Sequence, residues 1–128
     1  MPTTRKPVVT DKAPRPIAPY SQAIIEGDLI FLAGQGPGNP ETGTLELGDV
    51  ASQTVRTLEN MKAILEAAGS SMDKVVKCNV YLANIAEFAA MNEVYGRYFS
   101  APYPARTTIQ AGALPGGIAV EIECVARK

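Results

Sequence analysis

The apolar patterning of this 128-residue chain predicts an α+β fold, a mostly antiparallel sheet with two helices packed on one of its faces. Three observations lead there. Short segments near residues 76–82, 106–111 and 120–125 alternate apolar with polar residues, the mark of half-buried strands. Two longer stretches, 50–68 and 84–99, place apolar residues at helical spacing. The elements fall in the order strand, strand, helix, strand, helix, strand, strand, with no internal repeat, low-complexity tract or linker. The length suits one domain with a core of its own, independent of disulfides or metal.

Residues 1–12 read as an extended arm. Pro2 and Pro7 interrupt it, and the basic residues Arg5, Lys6 and Lys12, with Arg15 just beyond, read as a plain solvated tail. Residues 20–26 and 29–34 form two strands joined by a turn at Gly27-Asp28. The run Leu29-Ile30-Phe31-Leu32-Ala33 is apolar on both faces, which predicts a central strand covered on both sides. Asn39-Pro40-Glu41-Thr42-Gly43 is dense in turn residues and closes that unit. A helix over 50–68 follows, with Asp49 as N-cap, Gly69 just past its end, and a stripe of Val55, Leu58, Met61, Ile64 or Leu65, and Ala68.

Residues 74–82 give a third strand with Val76, Cys78, Val80 and Leu82 on the core side. Asn84 and Glu87 cap a second helix whose stripe of Phe88, Met91, Tyr95 and Tyr98 or Phe99 reads as core packing. Pro102 and Pro104 end it. In the strand after Pro104, Thr107, Ile109 and Ala111 point one way and Arg106, Thr108 and Gln110 the other. In the last strand Val120, Ile122 and Cys124 share a face, leaving Glu121 and Glu123 opposite. Few residues separate these two strands, so they are expected as antiparallel neighbours that set one guanidinium and two carboxylates on one side of the sheet.

That face would carry Arg106, Thr108, Gln110, Glu121 and Glu123 with Lys77, Asn79, Tyr81 and Val125, and Phe31 or Leu32 from the central strand. It is too mixed for a core and too rich in large groups for ordinary surface. A second subunit is the commonest cover for such a face.

Composition narrows the functions. Hydrophobic content of 46% and charged content of 20% fit a soluble globular protein, and a net charge of −1 offers no basic surface for nucleic acid or membrane. No apolar run reaches the length of a membrane span or signal-peptide core, so a cytoplasmic location is expected. Cys78 and Cys124 read as buried thiols, able to bridge only if their strands pair. The chain has no histidine, which removes Ser-His-Asp and Cys-His nucleophile systems, histidine metal sites and the usual acid/base pair of metal-independent ribonucleases. Acid/base chemistry falls to carboxylates, tyrosines, lysines or bound water.

Arg106 suits a bidentate clamp on a substrate carboxylate and equally an inter-subunit salt bridge with Glu121 or Glu123. Glu121 could orient a water or shuttle a proton in a partly dry pocket, or be half of a surface ion pair. Tyr20 could be a pocket wall or a strand-edge aromatic. The segment Ala33-Gly34-Gln35-Gly36-Pro37-Gly38 lets backbone approach a ligand closely but lacks the Gly-Lys-Ser/Thr ending of a phosphate loop.

Seven motifs in order carry a resemblance: Ala18-Pro19-Tyr20-Ser21-Gln22-Ala23, Ala33-Gly34-Gln35, Asn39-Pro40-Glu41-Thr42-Gly43, Leu58-Glu59-Asn60-Met61-Lys62-Ala63, Met91-Asn92-Glu93-Val94-Tyr95, Pro104-Ala105-Arg106, and Leu114-Pro115 with Val120-Glu121-Ile122-Glu123. Together they resemble the RidA (YjgF/YER057c/UK114) family of reactive-intermediate imine deaminases. The resemblance covers residues 13–127, so residues 13–128 are taken as one RidA-like domain.

The resemblance implies a chorismate-mutase-like fold and a homotrimer with three clefts between subunits. It implies that Arg106 clamps the carboxylate of 2-iminopropanoate or 2-iminobutanoate and that Glu121 activates water, with no cofactor. Tyr20, Gly34, Asn92 and Thr108 would join Arg106 in binding substrate. Ala33 stands where well-known members have serine, and Thr108 where they have cysteine; Ala113, Gly116 and Gly117 replace polar residues around Leu114-Pro115. The expected activity is hydrolysis of 2-imino or enamine acids to 2-keto acids and ammonia. The alternatives are deamination of a larger enamine such as 2-aminomuconate, and a non-catalytic carboxylate-binding or chaperone-like trimer.

Overall fold

The computed structural model describes residues 4–128; residues 1–3, with Pro2 of the expected arm, lie outside it. Its strands are β1 (Lys6–Val8), β2 (Ala23–Glu26), β3 (Leu29–Leu32), β4 (Val75–Leu82), β5 (Ala105–Gln110) and β6 (Val120–Arg127). Helix α1 (Val50–Ala67) lies between β3 and β4, and α2 (Phe88–Tyr98) between β4 and β5. The sheet order is β1-β2-β3-β6-β4-β5, antiparallel throughout except for the parallel pair β4 and β5. The predicted α+β class and the mostly antiparallel sheet are therefore observed.

Both helices formed where the sequence placed them, for local reasons. The Asp49 carboxylate accepts a hydrogen bond from the Ser52 amide at 2.8 Å, satisfying a free donor of the first turn. Gly69 closes α1 in the left-handed region at φ 80°, where a Cβ would be strained. Asn84 accepts from the Ala86 amide, but a 3-10 turn over Ile85–Glu87 intervenes before α2 begins. Leu58, Met61, Ile64 and Leu65 of α1 and Met91, Val94 and Tyr95 of α2 join Ile30, Leu32, Val80, Val120 and Ile122 in one buried core. Burying such side chains contributes about 1.5–3 kcal/mol each.

Five expectations are corrected. The arm is not a plain tail: β1 pairs with β2, Val8 is buried, and the Gln22 side chain ties the arm down. That carboxamide accepts from the Thr10 amide at 2.8 Å and donates to the Thr10 and Pro14 carbonyls, each at 2.9 Å. Within one chain strand β3 is covered on one side only, since Ile30 and Leu32 are buried while Leu29 and Phe31 are exposed. Val76 is 43% exposed, because an irregularity between Val75 and Lys77 turns it out of the core alternation. Val55 is likewise exposed; the buried face of α1 instead includes the polar Gln53, Thr54, Thr57 and Asn60.

The last correction concerns strand order. β5 and β6 are not neighbours: β6 runs between β3 and β4, and β5 takes the edge beyond β4. The connection over residues 111–119 is long enough to cross a strand, whereas hairpin loops are usually two to five residues. Helix α2 supplies the crossover that a parallel β4–β5 pair requires.

Candidate active site

Strand order decides which side chains share a face. Arg106 is the register partner of Cys78, and Cys78 the partner of Cys124, so all three point toward the helices. Glu121 is the partner of Tyr81, and Tyr81 of Ile109, which places these on the open face. The expected grouping of Arg106, Thr108 and Gln110 with Glu121 and Glu123 is therefore wrong. Thr107 and Ile109 share the open face with the two glutamates instead. Cys78 and Cys124 do face each other across paired strands, yet both are free, buried thiols with acidities weakened chiefly by burial.

On the helix side Arg106 is held from three directions. Its Nη1 donates to Asn92 Oδ1 at 2.7 Å. Its guanidinium carbon lies 4.6 Å from the centre of the Tyr95 ring and 5.4 Å from that of Phe88, within cation–π range. Residues 88, 92 and 95 fall on one face of α2 at helical spacing. Phe88 and Tyr95, read in the sequence as core stripe, thus also seat the guanidinium. Arg106, Asn92, Tyr95, Gly96, Tyr103 and Pro104 line a pocket of about 430 Å³. Thr108, two residues along the same face of β5, has a buried hydroxyl with no hydrogen-bond partner. An orphaned hydroxyl beside a pinned guanidinium can serve a ligand's anionic group.

On the open face Glu121 stands over Gly34. The backbones of Gln35 and Ile122 exchange two hydrogen bonds, 2.8 and 2.9 Å, which draws the glycine-rich segment alongside β6. A Cβ on Gly34 would lie 2.9 Å from the Glu121 carboxyl carbon, inside the 3.4 Å of ordinary contact. Only glycine leaves the carboxylate this seat. Behind it, buried Asn60 donates to the Gly36 and Gly38 carbonyls at 3.1 and 2.8 Å, anchoring the segment to α1. Burial first, and the charge of Glu123 second, hold the Glu121 carboxyl above the usual carboxylate range.

Tyr20 belongs to neither group. It is 51% exposed and lines a separate groove of about 140 Å³ with Pro7, Val8, Val9 and Arg15. Within one chain the residues singled out from the sequence therefore lie in three places: Arg106 with Asn92 and Thr108, Glu121 with Gly34, and Tyr20 alone.

The comparisons with known proteins agree with the fold. The sequence model of the family described as Endoribonuclease L-PSP matches residues 10–128. A RutC family protein of Pyrococcus abyssi is 51% identical over 121 residues, 94% of this chain and 95% of that protein. The human 2-iminobutanoate/2-iminopropanoate deaminase is 44% identical over 122 residues, 95% of this chain and 89% of its own. The crystal structure of E. coli TdcF with bound serine superposes with a TM-score of 0.91 at 39% identity, covering 96% of this chain and 98% of that one. A family match over nearly the whole chain, joined to relatives of this identity, makes the chain a member of the Endoribonuclease L-PSP family, the RidA/YjgF family its motifs resemble.

Proposed function

We propose that the protein hydrolyses 2-imino or enamine acids, such as 2-iminopropanoate and 2-iminobutanoate, to 2-keto acids and ammonia without a cofactor. The observation that carries this reading is the pinned Arg106. A guanidinium stacked on two rings and tethered to Asn92 has lost its freedom before any ligand arrives, so little entropy remains to be lost on clamping a carboxylate. The Thr108 hydroxyl adds a donor on the same side.

The chemistry asks for one further group. Water must add to the imine carbon, and its proton must reach the departing nitrogen. Glu121 takes the proton from water as the carbon–oxygen bond forms, then returns it to the amine as the carbon–nitrogen bond breaks. Water and the iminium acid become keto acid and ammonium. A carboxyl held above the usual carboxylate range by burial suits both transfers. The substrate is already electrophilic, so positioning and one acid/base group suffice.

Arg106 and Glu121 lie on opposite faces of one sheet, so no single chain can present both to one small acid. The active site in this reading is composite, with Arg106, Asn92 and Thr108 from one subunit and Glu121 and Gly34 from the next, in the homotrimer with three clefts that the family resemblance implies, and with Tyr20 at the rim. The open face supports this assembly, because it exposes Leu29, Phe31 and Ile109 beside Tyr81 and the two glutamates. The histidine-free chain, in contrast, has no ordinary acid/base pair for cleaving RNA.

The test adds the protein to a dehydratase reaction and follows keto-acid release. Wild type should accelerate release, and Arg106→Ala and Glu121→Ala should not. Equal acceleration by all three overturns the mechanism. Unfolding and refolding the two inactive variants together should recover about a quarter of wild-type activity, because one site in four then receives both intact halves.

A further inference from the structure

The open face carries a contact that the proposed chemistry leaves unused. Tyr81 of β4 is the register partner of Glu121, yet its hydroxyl donates to Oε1 of Glu123, the next residue on the same face of β6. Glu123 is thereby tied to β4, and its charge stands one same-face step, about 7 Å of strand, from Glu121. Glu121 accepts no hydrogen bond among the described residues and is bordered by the Tyr81 side of β4 and the bare Gly34.

Within one chain the remaining charges on this face lie elsewhere, and across the proposed cleft the neighbouring subunit would add Arg106, whose charge is the same in wild type and both variants below. Lys77 of β4 donates to the Thr107 hydroxyl of β5 at 3.2 Å, Glu26 belongs to β2, and Arg127 ends β6. β3 offers Leu29 and Phe31, β5 offers Thr107 and Ile109, and the segment beside Glu121 offers Gly34 and Gln35, none of them ionisable. Glu123 is the charge nearest Glu121 along β6.

We propose that Tyr81 and Glu123 are positioning residues for Glu121: the tyrosine holds Glu123 as a fixed negative neighbour and leaves the Glu121 carboxylate free for a ligand. This rests on the reading of Glu121 as the acid/base group. The tether is one-directional, because the phenol is a neutral donor and Glu123 the acceptor. Acceptance by Glu123, with burial, pushes the Tyr81 hydroxyl above the ordinary phenol range, so it remains a donor across neutral pH. A carboxyl beside a held like charge gives up its proton reluctantly, which is what returning a proton to a leaving amine requires.

The experiment is a ¹³C titration of the Glu121 carboxyl in the full-length protein, labelled at glutamate, for wild type, Glu123→Gln and Tyr81→Phe. Glu123→Gln keeps an acceptor for the phenol and removes the charge, so the Glu121 midpoint should fall by about half to one pH unit. Tyr81→Phe keeps the charge but removes its tether, so the midpoint should fall by a smaller amount. Midpoints that stay at the wild-type value in both variants overturn the proposal. The acid limb of the pH–rate profile for imine hydrolysis should move with the midpoint. A midpoint that moves without the limb upholds the pairing and overturns the catalytic role of Glu121.

Discussion

Substituting Gly34 by alanine separates stability from chemistry at this site. The added Cβ would lie 2.9 Å from the Glu121 carboxyl carbon and 3.1 Å from its Cγ, and closer still to Oε2. The carboxyl carbon must retreat to the 3.4 Å of ordinary contact, and the oxygen moves by about 1 Å. Only the end of a flexible side chain stands in the way, so the cost is that of an off-rotamer torsion, about 1 kcal/mol. Gly34 is not in the left-handed region, so alanine also restricts the unfolded chain and returns about 0.4–1 kcal/mol. The two effects nearly cancel, and the midpoint of urea unfolding should stay close to wild type. The rate should not, because a 1 Å misplacement of a catalytic group can cost about 10²-fold. Keto-acid release in the coupled assay, run beside an unfolding curve, reads both quantities. A folded Gly34→Ala protein that turns over within about threefold of wild type refutes the assignment of the acid/base role to this carboxylate.

Three other substitutions probe separate features. Asn92→Ala removes the 2.7 Å tether on Arg106 and should raise KM about tenfold with a smaller fall in kcat, measured by steady-state kinetics with generated imine. Gln22→Leu strips partners from the Thr10 amide and from the Thr10 and Pro14 carbonyls, and should cost about 2–3 kcal/mol in urea unfolding while speeding amide exchange at Thr10. Glu121→Gln should abolish turnover yet raise Tm at neutral pH. The folded state raises the Glu121 pKa, so its favourable effect on stability exists while the group is protonated and is lost as pH rises through the folded pKa. The Tm advantage of the glutamine variant should therefore shrink as pH falls into the carboxylate range, which differential scanning calorimetry across pH would read.

Much of the fold was legible because it is locally encoded. The Asp49 cap, the Gly69 stop and the 3.6-residue spacing of Leu58, Met61 and Leu65 define α1 within one segment. The alternation of Val120, Ile122 and Cys124 assigns faces to β6 with no knowledge of its neighbours. The strand order was harder to read because it depends on where residues 111–119 travel: their length speaks against a tight hairpin, but nothing in their composition says which strand they cross. The outward turn of Val76 was hidden too, since one unpaired residue in a strand leaves no mark in apolar spacing. Polar Gln53 and Asn60 on the buried face of α1 break the apolar stripe because they satisfy loop groups that no periodicity records, the Gly48 carbonyl and Ala119 amide for one, Gly36 and Gly38 for the other.

The misplaced strand also changes what the site must be. With β5 and β6 adjacent, Arg106 and Glu121 would share a face, and a salt bridge between them would compete with any substrate. Inserting β4 between them, with Cys78 facing Arg106 and Tyr81 facing Glu121, turns the pair to opposite sides of the sheet. They can no longer neutralise one another within a chain. Each is instead held by other means, Arg106 by rings and an amide, Glu121 by a bare glycine and a burial that weakens its acidity. A cation and a carboxylate kept apart within one chain could serve one substrate only where two copies meet. The strand order that defeats a single-chain active site is thus the physical argument for a composite one, and recovery of activity from mixed Arg106 and Glu121 variants is the measurement on which it stands or falls.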